Sequence, residues 1–195
     1  MTSAPVLSDV SRELRTRRLL LRCPQEGDGL LVHEAVVETL EQLRNWPASL
    51  PWASFEPSVA ASETYCRESA AAFIRRTALV YLAFDTSGSL VASTSLHAIN
   101  WAVPKFEVGF WCRASRQHQG LAAEAAKELV RYAFEGLGAN RVDALPDEAN
   151  GPSRAVCQAA GMHLEGTMRS ERVTPDGVLR NTCIYAAVRG EQPGG

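Results

Sequence analysis

No stretch of this chain supplies the roughly 18 apolar residues in a row that a membrane-crossing helix needs. The N-terminus lacks the apolar centre of a signal peptide, since Met1 to Arg18 is polar and turns basic. No Cys-x-x-Cys occurs, and the five cysteines (Cys23, Cys66, Cys112, Cys157, Cys183) are odd in number and far apart. That pattern argues against a disulfide framework and for reduced thiols in a cytoplasmic protein. His33, His97, His118 and His163 keep no ligand spacing with one another or with the cysteines, so no metal is expected. Charge of one sign is also missing. The formal net charge is −2, with no basic stripe, so neither nucleic acid nor a membrane surface is the expected partner. Internal repeats and low-complexity segments are absent too.

What remains is 195 residues, 46% hydrophobic and 22% charged, a composition that suits one globular domain with a real core. Residues 1–14 read as a flexible leader, 15–189 as the domain and 190–195 as a flexible tail. Arg17 to Pro24 reads as a first strand stopped by proline. A helix follows over about 26–44, with Leu30, Leu31, Val37 and Leu40 as its expected buried face. The connector Asn45-Trp46-Pro47-Ala48-Ser49-Leu50-Pro51-Trp52-Ala53 is too rich in proline for regular structure. Its two tryptophans either plug the edge of the core or line a substrate cleft. Ser62 is the expected N-cap of a second helix running to about Arg76.

Strands over 79–85 and 90–98 read as a hairpin about Thr86-Ser87-Gly88-Ser89. A third antiparallel strand follows at 105–112, where Phe106, Val108, Phe110 and Cys112 alternate with Lys105, Glu107, Gly109 and Trp111. Next comes a long helix with one apolar stripe (Leu121, Ala125, Leu129, Ala133, beside Ala122, Ala126 and Val130). A strand over 140–145 then implies, by strand–helix–strand connection, a parallel neighbour for 105–112. A short helix over 153–160 and a closing hairpin about Pro175-Asp176-Gly177 complete the chain. The expected architecture is α/β (α+β): a mixed sheet with helices on its faces, in the order β-α-α-β-β-β-α-β-α-β-β.

The turn Gln117-His118-Gln119-Gly120-Leu121-Ala122 joins the third of those antiparallel strands to the long helix. Backbone N–H groups and the positive end of a helix dipole converge there, and Gly120 has no side chain to keep an anion away. A phosphate or pyrophosphate fits such a place on physical grounds.

The element order, with Gln117-x-x-Gly120-x-Ala122 at this turn, resembles the GNAT superfamily of acyl-CoA-dependent N-acetyltransferases. Further matches resemble the branch of Rim-type ribosomal-protein N-terminal acetyltransferases. They are Arg18-Leu19-x-Leu21-Arg22, Leu50-Pro51-Trp52-Ala53, Glu107-Val108-Gly109-Phe110-Trp111, and Asn150-x-x-Ser153 followed by Gly161-Met162. The resemblance covers about residues 15–189. It implies a mostly antiparallel seven-stranded sheet, splayed where the fourth and fifth strands run parallel. It also implies that acetyl-CoA is the acyl donor, with its pyrophosphate on Gln117, His118, Gln119, Gly120, Leu121 and Ala122. The pantetheine arm would lie against Phe110, Trp111 and Cys112, with Asn150 and Ser153 beside it.

Amine attack on a thioester needs a neutral amine, a stabilised oxyanion and help for the leaving thiolate. Glu107 is the candidate proton acceptor, or else a structural carboxylate paired with Lys105 or Arg113, or bonded to a backbone group. Ser153 is the candidate hydrogen-bond donor to the departing sulfur, or a helix N-cap. Trp46 and Trp52 are candidate acceptor-binding residues. The family's usual tyrosine, four residues before the glycine that ends the short helix, is replaced by Cys157, for which a small buried core residue is the stronger reading. His97 and His118 are expected to stand outside the chemistry. The acceptor is expected to be a protein N-terminal α-amine or a small-molecule amine. The alternative is a non-catalytic acyl-CoA-binding sensor or interaction module. A homodimer is compatible with the sequence and not required by it.

Overall fold

The structure, a computed structural model, describes residues 5–190. The tail expected over 190–195 and the first four residues of the leader therefore lie outside the described residues, apart from Gly190. Eight strands form one sheet: β1 (Glu13–Arg15), β2 (Leu19–Arg22), β3 (Leu79–Asp85), β4 (Leu90–Asn100), β5 (Lys105–Cys112), β6 (Arg141–Ala144), β7 (His163–Val173) and β8 (Leu179–Val188). Their spatial order is β1-β2-β3-β4-β5-β6-β8-β7, and every neighbouring pair is antiparallel except β5 and β6. Four α-helices complete the fold: α1 (Gly29–Leu43), α2 (Val59–Arg75), α3 (Leu121–Glu135) and α4 (Gly151–Ala159).

The eighth strand is the one that the pattern missed. Glu13 and Leu14 were expected in a leader outside the domain, yet they pair with Arg22 and Leu21 of β2, and Leu14 and Val10 are buried. The segment is tied down by groups far away in sequence. Tyr81 donates from its hydroxyl to the Ser11 carbonyl, the Ser11 N–H donates to the Tyr132 hydroxyl, and Arg76 donates to the Ser8 carbonyl. A three-residue strand is too short to leave an alternation in the sequence.

Alternation along β5 divides the core. Phe106 and Val108 belong to a large cluster with Leu121, Leu129 and Val130 of α3 and Cys157 of α4. Trp111, at an odd position, packs with a smaller cluster built from Val32, Ala35 and Val36 of α1, Cys66 of α2, and Leu82, Phe84 and Leu90 of the sheet. Helices thus cover the sheet from two sides, and β5 carries side chains toward both.

Two helix details depart from expectation. The inner face of α1 is Val32, Ala35, Val36, Thr39 and Leu43, whereas Leu30, Leu31 and Val37 are exposed. The inner set falls at i, i+3, i+4, i+7 and i+11, the spacing of one helical stripe, so packing followed the stripe rather than residue size. The N-cap of α2 is Ser58, whose hydroxyl accepts from the Ala61 N–H; Ser62 lies one turn inside the helix and is buried. Ser58 is a cap-forming residue type one helical turn earlier, and the extended backbone at Ser58 is what selects it. No helix among the described residues is long and apolar enough to cross a membrane.

Candidate active site

The site is made by two strands that start together and part. β5 and β6 pair only over Lys105–Arg141, Phe106–Val142 and Glu107–Asp143. Beyond that point β5 runs on to Cys112 against β4 alone, and β6 ends at Ala144. The cause lies in the next residues. Pro146 has no N–H to give to a ladder, while its carbonyl accepts from the Cys183 N–H and Asp147 bridges to Thr182 of β8. Asp147 is also held by both arms of Arg180, each at 2.8 Å. Burial pushes the Asp147 carboxyl up, but the Arg180 pairing outweighs it and holds the group below the ordinary range. The chain after β6 is therefore pulled toward β8, away from β5.

A cavity of about 730 Å³ opens where the strands separate. Its walls include Glu107, Gly109, Phe110 and Trp111 of β5 on one side and Ala144, Asn150 and Ser153 on the other. Trp46 and Trp52 line it from the connector after α1. That connector is clamped at two points. Arg44 donates to the Ala53 carbonyl at 3.0 Å and pairs with Glu56 at 2.7 Å; Arg172 of β7 donates to the Ser49 hydroxyl at 3.0 Å and the Leu145 carbonyl at 3.1 Å.

The expected residues are distributed as follows. Glu107 stands in the cavity wall, and neither of its expected side-chain partners holds it. Lys105 pairs with Asp143 at 2.7 Å and Arg113 with Glu38 at 2.6 Å. Its partner is His97, with Nε2 3.3 Å from Glu107 Oε1. His97 also lines the cavity. The sequence reading had set it aside because a lone histidine in a strand carries no signal; the register of β4 on β5 was the missing information. Asn150, not Ser153, is the N-cap of α4: its side-chain oxygen accepts from the Ser153 N–H at 3.0 Å. The Ser153 hydroxyl is thereby left with no hydrogen bond among the described residues. Cys157 is fully buried, and burial pushes its thiol up to about 12.

Cys112 points elsewhere. It is absent from the cavity wall, and its thiol donates toward the Val91 carbonyl at 3.5 Å while receiving the Ala122 N–H. Burial pushes this thiol up to about 11 even against that N–H. Gln117 through Ala122 form an open turn outside the cavity lining. Gly120 takes a left-handed φ of +73° as the N-cap of α3, and a Cβ placed on it would have Arg18 Nη2 as its nearest neighbour at 3.6 Å. Arg18 itself is aimed by Glu124 at 2.6 Å and donates to the Gln119 carbonyl at 3.0 Å. The first-turn N–H groups of a helix have no intrahelical acceptor. Together with Arg18, whose charge Glu124 balances, they supply donors beside a residue that carries no side chain, which fits a diphosphate.

α1 fixes the approach to that turn. Glu38 accepts from the Ser115 N–H at 2.7 Å and from Arg113 Nε at 2.6 Å. Thr39 accepts from the Ala114 N–H at 3.0 Å, and Gln42 accepts from the Gln117 amide at 2.9 Å. Val32, Val36 and Leu40 of the same helix line the cavity.

Residues 18–163 match the family model described as an acetyltransferase (GNAT) domain. The chain belongs to the GNAT acetyltransferase family. Among curated proteins, this GNAT chain is 32% identical over 107 residues to YdaF of Bacillus subtilis, provisionally named a ribosomal N-acetyltransferase. That match spans 55% of this chain and 58% of YdaF, so it covers little more than half of the relative. Two solved structures share the GNAT fold closely. One is RimL, a ribosomal L7/L12 alpha-N-protein acetyltransferase in complex with coenzyme A (TM-score 0.79, 23% identity, 89% of this chain and 95% of that one). The other is MccE, the microcin C7 self-immunity acetyltransferase, with acetyl-CoA and AMP (TM-score 0.80, 19% identity, 89% and 93%). At these identities the likeness is one of fold. Eight strands with one parallel pair is the mixed GNAT sheet, one strand longer than the seven expected.

Proposed function

We propose that the protein is an acetyl-CoA-dependent N-acetyltransferase whose acceptor is the α-amine of a protein N-terminus. The observation that carries this reading is the cavity between the parted strands, with a carboxylate on one wall and an unengaged hydroxyl on the other. Support for the donor side comes from the open turn at Gln117–Ala122, where Gly120, the α3 N-terminus and Arg18 would take the diphosphate. Support also comes from the β6-facing edge of Phe110, Trp111 and Cys112, whose main-chain groups no neighbouring strand uses. An extended pantetheine arm satisfies such an edge as an added strand does. Asn150 would hold the turn beside it.

The chemistry follows from placement. The acceptor enters past Trp46 and Trp52, which shield it from water on the α1–α2 side. Glu107 takes a proton from the amine, directly or through one water, as nitrogen attacks the thioester carbonyl. Ser153 donates to the departing sulfur. Cys157 is too deeply buried to serve as that acid, so the family's tyrosine has its functional replacement in Ser153 or in water held by it. The α-amine is favoured over other amines by the name of RimL, an alpha-N-protein acetyltransferase, and the ribosomal N-acetyltransferase name of YdaF agrees with a protein acceptor. The cytoplasm, where new protein N-termini and acetyl-CoA meet, is then the expected compartment.

The test is mass spectrometry after incubation with acetyl-CoA and three sets of acceptors: peptides with free N-termini, N-blocked peptides containing lysine, and small primary amines. Acetylation confined to free N-termini supports the proposal. Transfer only to small amines or to lysine refutes the acceptor class, and acetyl-CoA binding without release of free thiol refutes the enzyme.

A further inference from the structure

Glu107 is not alone on its wall. His97 lies directly across from it in the β4–β5 register, with Nε2 3.3 Å from Oε1. Nδ1 of the same ring lies 3.3 Å from Ser95 Oγ. Two local features put the ring there. Gly109, paired with Ser95, leaves a gap that the two side chains fill: a Cβ at 109 would stand 2.9 Å from His97 Cε1 and 3.2 Å from Ser95 Oγ. Immediately after His97 the ladder slips, with a register shift between His97 and Asn100 and a left-handed φ of +47° at Ala98. That conformation costs a non-glycine residue about 1 kcal/mol, and bulges beside active sites serve to re-aim side chains. The His97 side chain is 41% exposed, so core packing does not account for the arrangement.

One neutral tautomer satisfies all three groups. With the proton on Nε2, Nδ1 can accept from Ser95 Oγ–H while Nε2–H is turned toward Glu107 Oε1 at 3.3 Å, a contact that a small shift of either side chain converts into a hydrogen bond. No hydrogen bond among the described residues engages Oε2. We propose that His97, steadied by Ser95, is the positioning residue for Glu107, fixing Oε1 so that Oε2 receives the proton the acceptor amine loses. This rests on the acetyl-transfer reading above. In the balanced reaction the nitrogen lone pair forms the C–N bond, the C–S bond breaks and its electron pair leaves on sulfur. One proton passes from nitrogen to Glu107, which then releases it to water, and one reaches the thiolate through Ser153, whose hydroxyl is replenished from water, so the net proton count is zero and both side chains are restored.

The surrounding charges are already matched. On the neighbouring strands Asp143 is taken by Lys105 at 2.7 Å and Arg141 at 2.5 Å, and Arg141 also holds Glu165 at 2.6 Å. Elsewhere in the cavity wall, Asp147 is held by Arg180, Glu56 by Arg44, and Arg172 pairs with Glu171. Among the described residues, His97 and Glu107 therefore face each other with no Arg or Lys paired to either.

The test uses the full chain, acetyl-CoA and the best free-N-terminus peptide from the acceptor set. His97→Leu is expected to lower kcat about ten- to a hundred-fold, to leave the KM for acetyl-CoA unchanged and to alter the shape of the kcat/KM pH profile. His97→Gln, whose amide still donates to Oε1, is expected to restore most of the rate without restoring that profile. A His97→Leu enzyme with wild-type kcat and profile overturns the proposal. So does a loss that His97→Gln fails to rescue and that tracks a lowered melting temperature, which is the mark of a merely structural residue. A wild-type protein that acetylates no acceptor takes down the functional reading and this inference together; an active wild type indifferent to His97→Leu overturns the inference alone.

Discussion

Replacing Gly120 with glutamate tests whether the open turn holds a diphosphate. The backbone there has φ +73°, and only Arg18 Nη2, at 3.6 Å, comes near the space a Cβ would take. An L-residue in this conformation costs about 1 kcal/mol of folding stability, and the open space adds no clash. The carboxylate of the new side chain would lie within about 5 Å of a bound phosphate and within reach of Arg18. Two like charges at that separation repel by roughly 1–3 kcal/mol for effective dielectric constants between water and a protein surface. Capture of Arg18 removes an attraction of similar size. Together these correspond to about thirty-fold weaker acetyl-CoA binding or more, at tenfold for each ~1.4 kcal/mol. Gly120→Ala carries the same backbone strain without charge and is expected to weaken binding less than about fivefold, by the same conversion. Titration calorimetry gives the affinities, and thermal melts give the stability of both variants. Near-normal acetyl-CoA affinity in Gly120→Glu, with the fold intact, would refute the placement of the diphosphate.

Glu107→Gln should reduce kcat by about a hundred-fold or more while leaving acetyl-CoA affinity within a few-fold, as befits a proton acceptor rather than a binding group; steady-state rates and calorimetry on one preparation check this. Ser153→Ala should slow thiol release without lowering the melting temperature, because Asn150 is the cap. Asn150→Ala should cost about 1 kcal/mol of stability, and the opposite ranking in paired melts would mean that the roles are exchanged. The hydrogen bonds from Ser115, helped by Arg113, hold the Glu38 carboxyl down from the usual 4.5 to about 2. Its contribution to stability is therefore complete above about pH 4.5 and is surrendered as pH falls toward 2. Urea midpoints measured over that range should fall less steeply with acid in Glu38→Gln than in the wild type.

The parts of this fold with long periodicity were legible in the chain. The stripe of α3, the alternation of β5 and the parallel β5–β6 connection follow from residue spacing alone, and the structure has all three. Three kinds of feature were not legible. β1 is too short to show a period and is held by Tyr81, Tyr132 and Arg76, each more than 60 positions away. The cap of α2 is Ser58 where Ser62 was expected, because two serines one turn apart are chemically alike until the chain before the helix is placed. The pairing of His97 with Glu107 depends on strand register and on the slip at Ala98, neither of which a single sequence specifies. Trp46 and Trp52 were visible as unusual, but whether they filled a core or a cleft turned on Arg44 and Arg172, which clamp their loop from outside it.

α1 meets the acceptor cavity with Val32, Val36 and Leu40 and braces the approach to the α3 turn with Glu38, Thr39 and Gln42. Its length is thereby locked. Inserting or deleting one residue between Val36 and Glu38 would swing one group about 100° around the axis relative to the other, so either the pocket or the brace would lose its footing. Homologues that change their acceptor should do so by side-chain replacement along this helix or by remodelling the tryptophan loop, with the register of α1 itself left untouched.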